Sequence, residues 1–454
     1  MRTYINQLKS MHGQTVTLCG FVHEVRDLKK MQFVVLKDVS GECQLTLTKT
    51  PENCAINSIV SSLTIQSSIK VIGKVNVDDF VKMGGVEVLP TDILVVSIAS
   101  APLPIDMTGL TESGKDTRAD WRFLDLRDKR RQLIFKVQTT MLHAMRQFWI
   151  DKNFLEIFSP KLVATPSEGG AELFELDYFG DRAYLAQSPQ VYKQMAIAAG
   201  FDRVFEIGPA FRADKSHTNR HTTEFTSVDI EMAWIDSIED IMSLQEQWIT
   251  HFITVVIEKH FEQIKEIMGF ELQVPKLPFA RISMKKAKDI VKELGYSVPK
   301  ETKGDLDPQA ERLIGSFMKD KYQSDFVFVT DYPTSIRPFY HHHKEDCKTT
   351  NSFDLLYKGI EISTGAKREH NFDKLIMQAV EKGVLDGKVR KLDGSLDLNL
   401  MPKGMDSYFN CFKYGCPPHG GFGFGLSRML MQLLRLDNVR EASYIYRSVD
   451  RLTP

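Results

Sequence analysis

The first 104 residues contain five short β-prone runs, with one helix-prone stretch after the third run. Turn-prone stretches such as 38–41 and 82–85 separate the runs, which lie at 15–25, 32–37, 43–49, 69–77 and 86–99. The helix-prone stretch covers residues 58–65. This order is the strongest constraint on the fold, because it predicts a small closed β-barrel over residues 1–104.

Five strands with a helix after the third are typical of the OB-fold, a barrel that often binds single-stranded nucleic acid. Arg26, Lys29 and Lys30 lie close to Phe33 in the sequence. Cations beside an aromatic ring suit a phosphate and a stacked base. From these residues alone, a barrel with a purely structural role is an equal alternative.

A larger body follows the proline-containing stretch that begins at Ala101. Apolar residues spaced three and four apart over 134–148 predict an amphipathic helix, and a second helix is predicted over 238–267. The strand-like runs lie at 203–207, 228–234, 325–330, 352–357 and 360–363. Because regular βαβ spacing and a Gly-rich phosphate loop are missing from the sequence, Rossmann and P-loop folds are disfavoured.

These patterns predict three parts, and together they place the chain in the α/β (α+β) class. They are a barrel domain over 1–104, a hinge over 105–130 and a large domain over 131–454, which is long enough to be a catalytic domain. The charged, helix-prone segment at about 275–325 resembles an insertion in the third part.

The overall charge and the cysteine pattern narrow the class of protein. Lys and Arg number 58 against 59 Asp and Glu, so a wholly basic nucleic-acid coat is excluded, although local basic patches are not. The sequence has no apolar run near the ~18 residues that span a bilayer, and its start lacks a secretory pattern. Six cysteines without a CxxC pair fit a reducing compartment. We therefore expect a soluble, cytoplasmic protein that does not bind membranes.

The segment 211–234 is the first candidate for chemistry. Arg212, Arg220 and Phe225 precede a strand in which Asp229 and Glu231 share one face, because alternate residues of a strand point the same way. Arginines bind phosphates, an aromatic ring stacks on a base, and carboxylates carry Mg²⁺ or a substrate amine. A salt-bridged hairpin is the alternative for this segment alone.

Two further segments have the same character. Glycines alternate along 420–425 and lead into a helical pattern that contains Arg428, which suits either a ligand close to the backbone or close strand packing. Asp354 and Glu361 lie at the ends of a predicted hairpin, as Mg²⁺ ligands or as ordinary surface charges. The triplet at 341–343 lacks an evident fourth ligand, so a loop that faces solvent or a nucleic acid is favoured over a zinc site.

In combination, these segments resemble motifs 2 and 3 and the amino-acid loop of the class II aminoacyl-tRNA synthetases, and 154–160 resembles motif 1. Within subclass IIb the resemblance is closest to the aspartyl enzymes of the archaeal and eukaryotic-cytosolic type. It is carried by 166–172, 187–194, 337–340, 362–370 and 451–454. It implies an anticodon-binding OB-fold, then a six-stranded antiparallel catalytic sheet flanked by helices.

The resemblance also implies a reaction and its participants. L-aspartate and ATP would give aspartyl-adenylate and pyrophosphate, and the aspartyl group would pass to the 3′ end of tRNA-Asp. Mg²⁺ would be the metal, and the enzyme a homodimer in which motif 1 supplies apolar surface from Phe148, Trp149, Phe154 and Phe158. Whether tRNA-Asn is also charged stays open at this point.

The roles of individual residues follow from the same resemblance. The implied ATP site comprises Arg212, Asp214, Arg220, His221, Thr222, Phe225, Glu231, Glu361, Gly425 and Arg428. The implied aspartate site comprises Glu168, Gln190, Lys193, Arg212, Asp229, Thr364 and Arg368. The implied metal site comprises Asp354, Glu361 and Thr364, with Glu231 beside them. The implied anticodon site comprises Arg26, Lys29, Phe33, Gln44 and Glu87. Arg212, Glu361 and Arg428 would act in catalysis by positioning and charge neutralisation.

Substrate choice can be argued from charge. Lys193 and Arg368 predict a doubly cationic pocket, which a carboxylate satisfies and a neutral amide does not. A lysyl enzyme would need acids at these two positions. The asparaginyl enzymes share PHGGFGFG but lack QSPQxYKQ in the family pattern. The remaining alternatives are an asparaginyl-tRNA synthetase and a paralogue that no longer aminoacylates.

Overall fold

The computed structural model describes residues 1–107, 111–165, 172–215, 218–302, 304–391, 395–402 and 404–454. Contacts divide the chain into two compact units, Met1–Asp125 and Leu126–Pro454. Within the described ranges, each helix is too short or too polar to cross a membrane.

The first unit is built on a closed five-stranded barrel, as predicted. Its strands are β1 (Thr15–Asp27), β2 (Met31–Lys37), β3 (Glu42–Thr48), β4 (Ser68–Val77) and β5 (Val86–Ser97), in the order β1-β2-β3-β5-β4. Helix α1 (Cys54–Ser62) lies between β3 and β4 and begins slightly before the predicted stretch. Alternate residues such as Leu45 and Leu47 fill the barrel interior. Two short helices, α2 (Lys115–Asp120) and α3 (Arg122–Asp125), follow within the predicted hinge.

The second unit contains eleven strands among its described residues. They are β6 (Leu155–Glu156), β7 (Leu162–Val163), β8 (Glu175–Tyr178), β9 (Asp181–Leu185), β10 (Arg203–Phe211), β11 (Glu224–Ala233), β12 (Ala280–Ser283), β13 (Phe326–Thr330), β14 (Ser352–Tyr357), β15 (Ile360–Lys367) and β16 (His419–Gly425). The helices are α4 (Lys129–Asp151), α5 (Gln190–Ala198), α6 (Ile238–Met268), α7 (Met284–Glu293), α8 (Pro308–Tyr322), α9 (Phe372–Glu381), α10 (Met405–Lys413) and α11 (Leu426–Leu433).

Eight strands form the main sheet in the order β12-β13-β14-β15-β16-β11-β10-β6. The six central strands are antiparallel, as expected. The structure adds a parallel strand at each edge, since β12 pairs with β13 and β6 with β10. The segment predicted as an insertion is therefore continuous with the sheet, because it supplies β12, α7 and α8.

Helices α4 and α6 cover one face of this sheet with the largest core cluster. Trp248 of α6 packs against Phe422 and Phe424 of β16, with ring centroids 5.6 and 4.9 Å apart. Because side chains alternate along a strand, Gly421, Gly423 and Gly425 point to the opposite face. That face carries the candidate site.

The apolar positions predicted for α4 are buried. Of the four residues expected to supply apolar surface to a dimer, three are also buried within the chain. Phe148, Trp149 and Phe154 are 9%, 0% and 3% exposed, because α6 and the sheet cover them. Phe158 is 80% exposed and is the one predicted surface residue that does lie on the surface.

Candidate active site

A cleft of about 380 Å³ opens on the sheet face that carries the glycines. It is lined by most of the side chains that the sequence nominated: Gln190, Arg212, Asp214, Arg220, His221, Thr222, Phe225, Asp229, Glu361, Thr364, Arg368, Gly425 and Arg428. Lys193, Glu231 and Asp354 are buried and do not line it. Glu168 lies outside the described residues.

The alternating glycines of β16 make room for the carboxylates of its neighbour β11. A Cβ on Gly421 would lie 2.0 Å from the carbonyl oxygen of Ile230 and 2.5 Å from Glu231 Oε2. A Cβ on Gly423 would lie 3.2 Å from Asp229 Oδ1. Side chains on β16 would therefore displace the acids that organise the base of the cleft.

The base of the cleft holds two cations and two carboxylates in direct contact. Lys193 Nζ lies 3.0 Å from Asp229 Oδ1 and 3.4 Å from Glu231 Oε2. Arg368 Nε donates to Glu231 Oε1 at 2.8 Å, and its Nη2 donates to the carbonyl oxygen of Gly421 at 3.1 Å. The predicted doubly cationic pocket is thus a balanced set of four charges.

Glu231 does not occupy the place that the resemblance implied. Its side chain is wholly buried between Arg368 and Lys193. Burial alone would raise the pKa of Glu231, but the two cations hold it below its ordinary value. Both of its oxygens are engaged by cations from distant segments, which the alternation along β11 could not predict.

Three arginines gather at the other end of the cleft. The Arg212 guanidinium lies 5.4 Å from the ring centroid of Phe225. Arg220 Nη1 donates to Glu311 Oε2 at 2.5 Å, and Arg428 Nη1 donates to the carbonyl oxygen of Glu361 at 3.1 Å. This concentration of guanidinium groups suits a polyphosphate.

Burial and neighbouring arginines set the protonation states around these guanidinium groups. Burial, together with Arg428 and Arg220, lowers the pKa of His221 to about 4, so this histidine is neutral at pH 7. Burial would raise the pKa of Glu361, but Arg428 and Arg337 bring it below its ordinary value. Glu361 is therefore ionised.

Asp354 and Glu361 come from adjacent strands, β14 and β15, which shift register between Leu355 and Leu356. Burial and the charge of Glu361 together raise the pKa of Asp354 to about 6, against the effect of Arg337. Arg337 Nη2 lies 2.8 Å from Asp354 Oδ1. Two mutually repelling carboxylates fit a divalent cation. In the described ranges there is no cluster of three His, Cys, Asp or Glu suited to a metal.

Among the residues at or near the cleft that the sequence missed are Glu311 and His341. Glu311 of α8 pairs with Arg220, although nothing in its local sequence indicates a site. His341 is 2% exposed and lines the cleft, so the prediction of a solvated loop is wrong for this histidine. Its backbone pairs with that of Arg368, which draws the segment against the sheet.

The barrel unit brings three of the residues assigned to the anticodon to one outer face. Phe33, Gln44 and Glu87 are half-buried there, because their neighbours along β2, β3 and β5 point inward. Glu87 accepts hydrogen bonds from Thr46 Oγ1 at 2.5 Å and Asn76 Nδ2 at 2.9 Å. Gln44 Nε2 also donates to Glu87, at 3.3 Å. The exposed Arg26 guanidinium lies 5.7 Å from the Phe33 ring, and Lys29 is exposed.

A cleft of arginines and carboxylates on an antiparallel sheet, preceded by a small barrel, defines a class of enzyme. The chain belongs to the class II tRNA synthetases (D, K and N), whose family model matches residues 114–446. Residues 16–96 match the OB-fold nucleic acid binding domain.

The individual relatives are more specific than the family model. The chain is 40% identical to the aspartate–tRNA(Asp) ligase of Thermococcus kodakarensis, with 98% of each chain covered. It is 42% identical to the aspartate–tRNA(Asp/Asn) ligase of Methanopyrus kandleri, with 97% of this chain and 96% of the relative covered.

Solved structures share the whole architecture. The asparaginyl-tRNA synthetase of Pyrococcus horikoshii, complexed with asparaginyl-adenylate, superposes with a TM-score of 0.88 at 30% identity and full coverage of both chains. A putative aspartyl-tRNA synthetase of Leishmania major gives a TM-score of 0.86 at 29% identity, with 100% of this chain and 95% of that chain covered.

Proposed function

We propose that the chain is an aspartate–tRNA ligase, which joins L-aspartate to the 3′ end of tRNA-Asp through aspartyl-adenylate. The observation that carries the proposal is one cleft lined by Arg368 and by Arg212, Arg220 and Arg428, with Lys193 buried behind it against Asp229. The names of the relatives in T. kodakarensis and M. kandleri support it.

The first step is the attack of an aspartate carboxylate oxygen on the α-phosphorus of ATP, which breaks the bond to pyrophosphate. Arg212 neutralises the α-phosphate, and Phe225 beside it stacks on adenine. Arg220 and Arg428 bind the β- and γ-phosphates, so Glu311 exchanges its place on Arg220 for a phosphate. A protein nucleophile is unnecessary, because positioning and charge neutralisation are enough.

Mg²⁺ belongs to this proposal as the partner of Asp354 and Glu361. Magnesium is commonly held by one or two carboxylates together with substrate phosphates, so two acids suffice. When bound, the ion would supply charge neutralisation at the phosphates. Thr364 Oγ1, which lies 3.3 Å from Glu361 Oε1, orients that carboxylate.

The balanced charges at the base of the cleft still favour aspartate. Arg368 uses Nε and Nη2 for Glu231 and Gly421, while its Nη1 makes no hydrogen bond with any described residue. The side-chain carboxylate of aspartate offers only acceptors to those donors. The amide of asparagine also offers two donors, which face a cation.

The assembly is proposed to be a homodimer. Three apolar side chains around β6 are exposed: Ile150 at 55%, Leu155 at 53% and Phe158 at 80%. They suit a dimer interface that excludes the buried Phe148.

The compartment is proposed to be the cytoplasm. All six cysteines are free, which agrees with a reducing cytoplasm, where ATP and tRNA are available.

The test is ATP–pyrophosphate exchange with aspartate, asparagine or lysine, followed by charging of purified tRNA-Asp and tRNA-Asn. We expect aspartate to drive exchange and tRNA-Asp to be charged. Charging of tRNA-Asn would place the chain with the aspartate–tRNA(Asp/Asn) ligases, and its absence would place it with the aspartate–tRNA(Asp) ligases. Arg212→Met should abolish exchange, whereas Arg182→Met, at an exposed ion pair, should not. Exchange with asparagine but not aspartate would overturn the proposal.

A further inference from the structure

A buried network of polar side chains lies behind the cleft and ends at Gln190. It contains Gln190 and Gln194 of α5, Tyr408 of α10 and His419 of β16, and each of them is 4% exposed or less. Gln190 is the member that lines the cleft. The orientation of its amide can be derived from the other end of the network.

The network is anchored at a backbone carbonyl. His419 Nδ1 lies 2.8 Å from the carbonyl oxygen of Pro417, which can only accept, so Nδ1 carries a hydrogen and donates it. Burial lowers the pKa of His419 to about 4. The ring is therefore neutral at pH 7, and its Nε2 is an acceptor.

The acceptor on His419 fixes the two glutamines in turn. Gln194 Nε2 lies 2.9 Å from His419 Nε2 and must donate to it. Gln194 Oε1 then faces the other way and accepts from Tyr408 Oη at 3.0 Å and from Gln190 Nε2 at 2.9 Å. With its Nε2 used in this way, Gln190 keeps Oε1 free of hydrogen bonds to any described residue.

We propose that His419, Gln194 and Tyr408 are positioning residues that present the carbonyl oxygen of Gln190 to the ammonium group of aspartate. The inference rests on the proposed function for the identity of the amino acid. At neutral pH the ammonium is the only hydrogen-bond donor of aspartate, so an acceptor held in a fixed orientation can serve no other group of this substrate. Reversing the amide would place donors against a cation.

Tyr408→Phe tests the network, because it removes one donor to Gln194 without changing shape. We expect the KM for aspartate in pyrophosphate exchange to rise about three- to ten-fold, while kcat and the KM for ATP stay within two-fold. Succinate is aspartate without the ammonium, so its inhibition constant should not change. Tyr357→Phe, a buried tyrosine stacked on Phe326 in the main core, is the matched control.

Gln194→Met is the second variant, since it keeps the side-chain length and removes both hydrogen-bonding ends. We expect a larger rise in the KM for aspartate, again without a change in succinate inhibition. Parallel weakening of aspartate and succinate would show general loosening of the pocket and overturn the proposal, as would an unchanged KM in both variants.

The proposed function can fail separately. If the unmodified chain used asparagine or lysine and not aspartate, the same comparison would be made with that amino acid and its deaminated analogue, because the ammonium group is common to all three. A selective rise in the KM would then support the network without aspartate.

Discussion

Arg368 and Glu231 form an ion pair in which both side chains are almost completely buried. Removing one partner of such a pair leaves an uncompensated charge, which costs about 3–5 kcal/mol. We expect Arg368→Met to abolish aspartate-dependent exchange and to lower the free energy of unfolding by that amount.

A second substitution separates the two effects. Adding Glu231→Met to Arg368→Met removes the excess carboxylate and leaves Lys193 paired with Asp229, so much of the stability should return while exchange stays absent. Urea unfolding measures the stability of both variants, and pyrophosphate exchange measures their activity. Unfolding of Arg368→Met at the urea concentration of the unmodified chain would contradict the account.

Glu311 should make the free energy of unfolding depend on pH. Burial raises its pKa from 4.5 to about 7, although Arg220 opposes the shift. The folded chain therefore holds a proton that the unfolded chain releases between these pH values, and its stability falls as the pH rises through them. Relative to Glu311→Gln, the unmodified chain should lose up to about 3 kcal/mol of unfolding free energy between pH 4.5 and pH 8.

The comparison with the glutamine variant is the control, because other raised groups such as Asp354 are present in both chains and cancel. Urea unfolding at each pH gives the difference. A difference that stays constant with pH would show that Glu311 titrates near its ordinary value.

We expect the anticodon to bind on the outer face of strands β2, β3 and β5. Phe33 is half-buried there beside Arg26. Since stacking contributes roughly 1–3 kcal/mol per base, Phe33→Ala should raise the KM for tRNA by about one to two orders of magnitude. Pyrophosphate exchange without tRNA should barely change. Equal loss of both activities would identify Phe33 as a core residue of the barrel.

The elements that the sequence predicted well are those with a strong period. Alternation placed Asp229 and Glu231 on one face of β11, and spacing placed Met141 and Met145 in the core side of α4. Periodicity describes one element at a time. It therefore cannot predict which other element packs against the apolar side of α4 or pairs with the acids of β11.

The errors share a physical cause. Glu231 was assigned to Mg²⁺ because its partner Arg368 lies 137 positions away in the sequence. Phe148 was assigned to a dimer because no local pattern reveals that α6 covers it. Glu311 was missed because its partner Arg220 lies 91 positions away in the sequence. Long-range pairing decided each of these positions.

At the scale of the whole molecule, we expect a homodimer. Phe158 is 80% exposed near the edge strand β6, and burying such a ring is favourable. Phe158→Glu would place a charge in the interface and should shift the chain to monomer in light scattering at micromolar concentration. Phe80→Glu, at a ring 94% exposed in the barrel unit, is the matched control. Unmodified chain that scatters as a monomer would contradict the expectation.

The position of β16 has a consequence for synthesis. This strand is the last of the eight sheet strands in chain order, and it lies between β15 and β11 in the middle of the sheet. Until residues 419–425 leave the ribosome, the nascent chain holds two unpaired strand edges and an uncovered Trp248, while the barrel strands are complete by Ser97. We expect chains stopped after Tyr414 to keep a protease-resistant barrel and to be digested beyond it. Equal resistance throughout a stopped chain would show that the catalytic unit matures without its central strand.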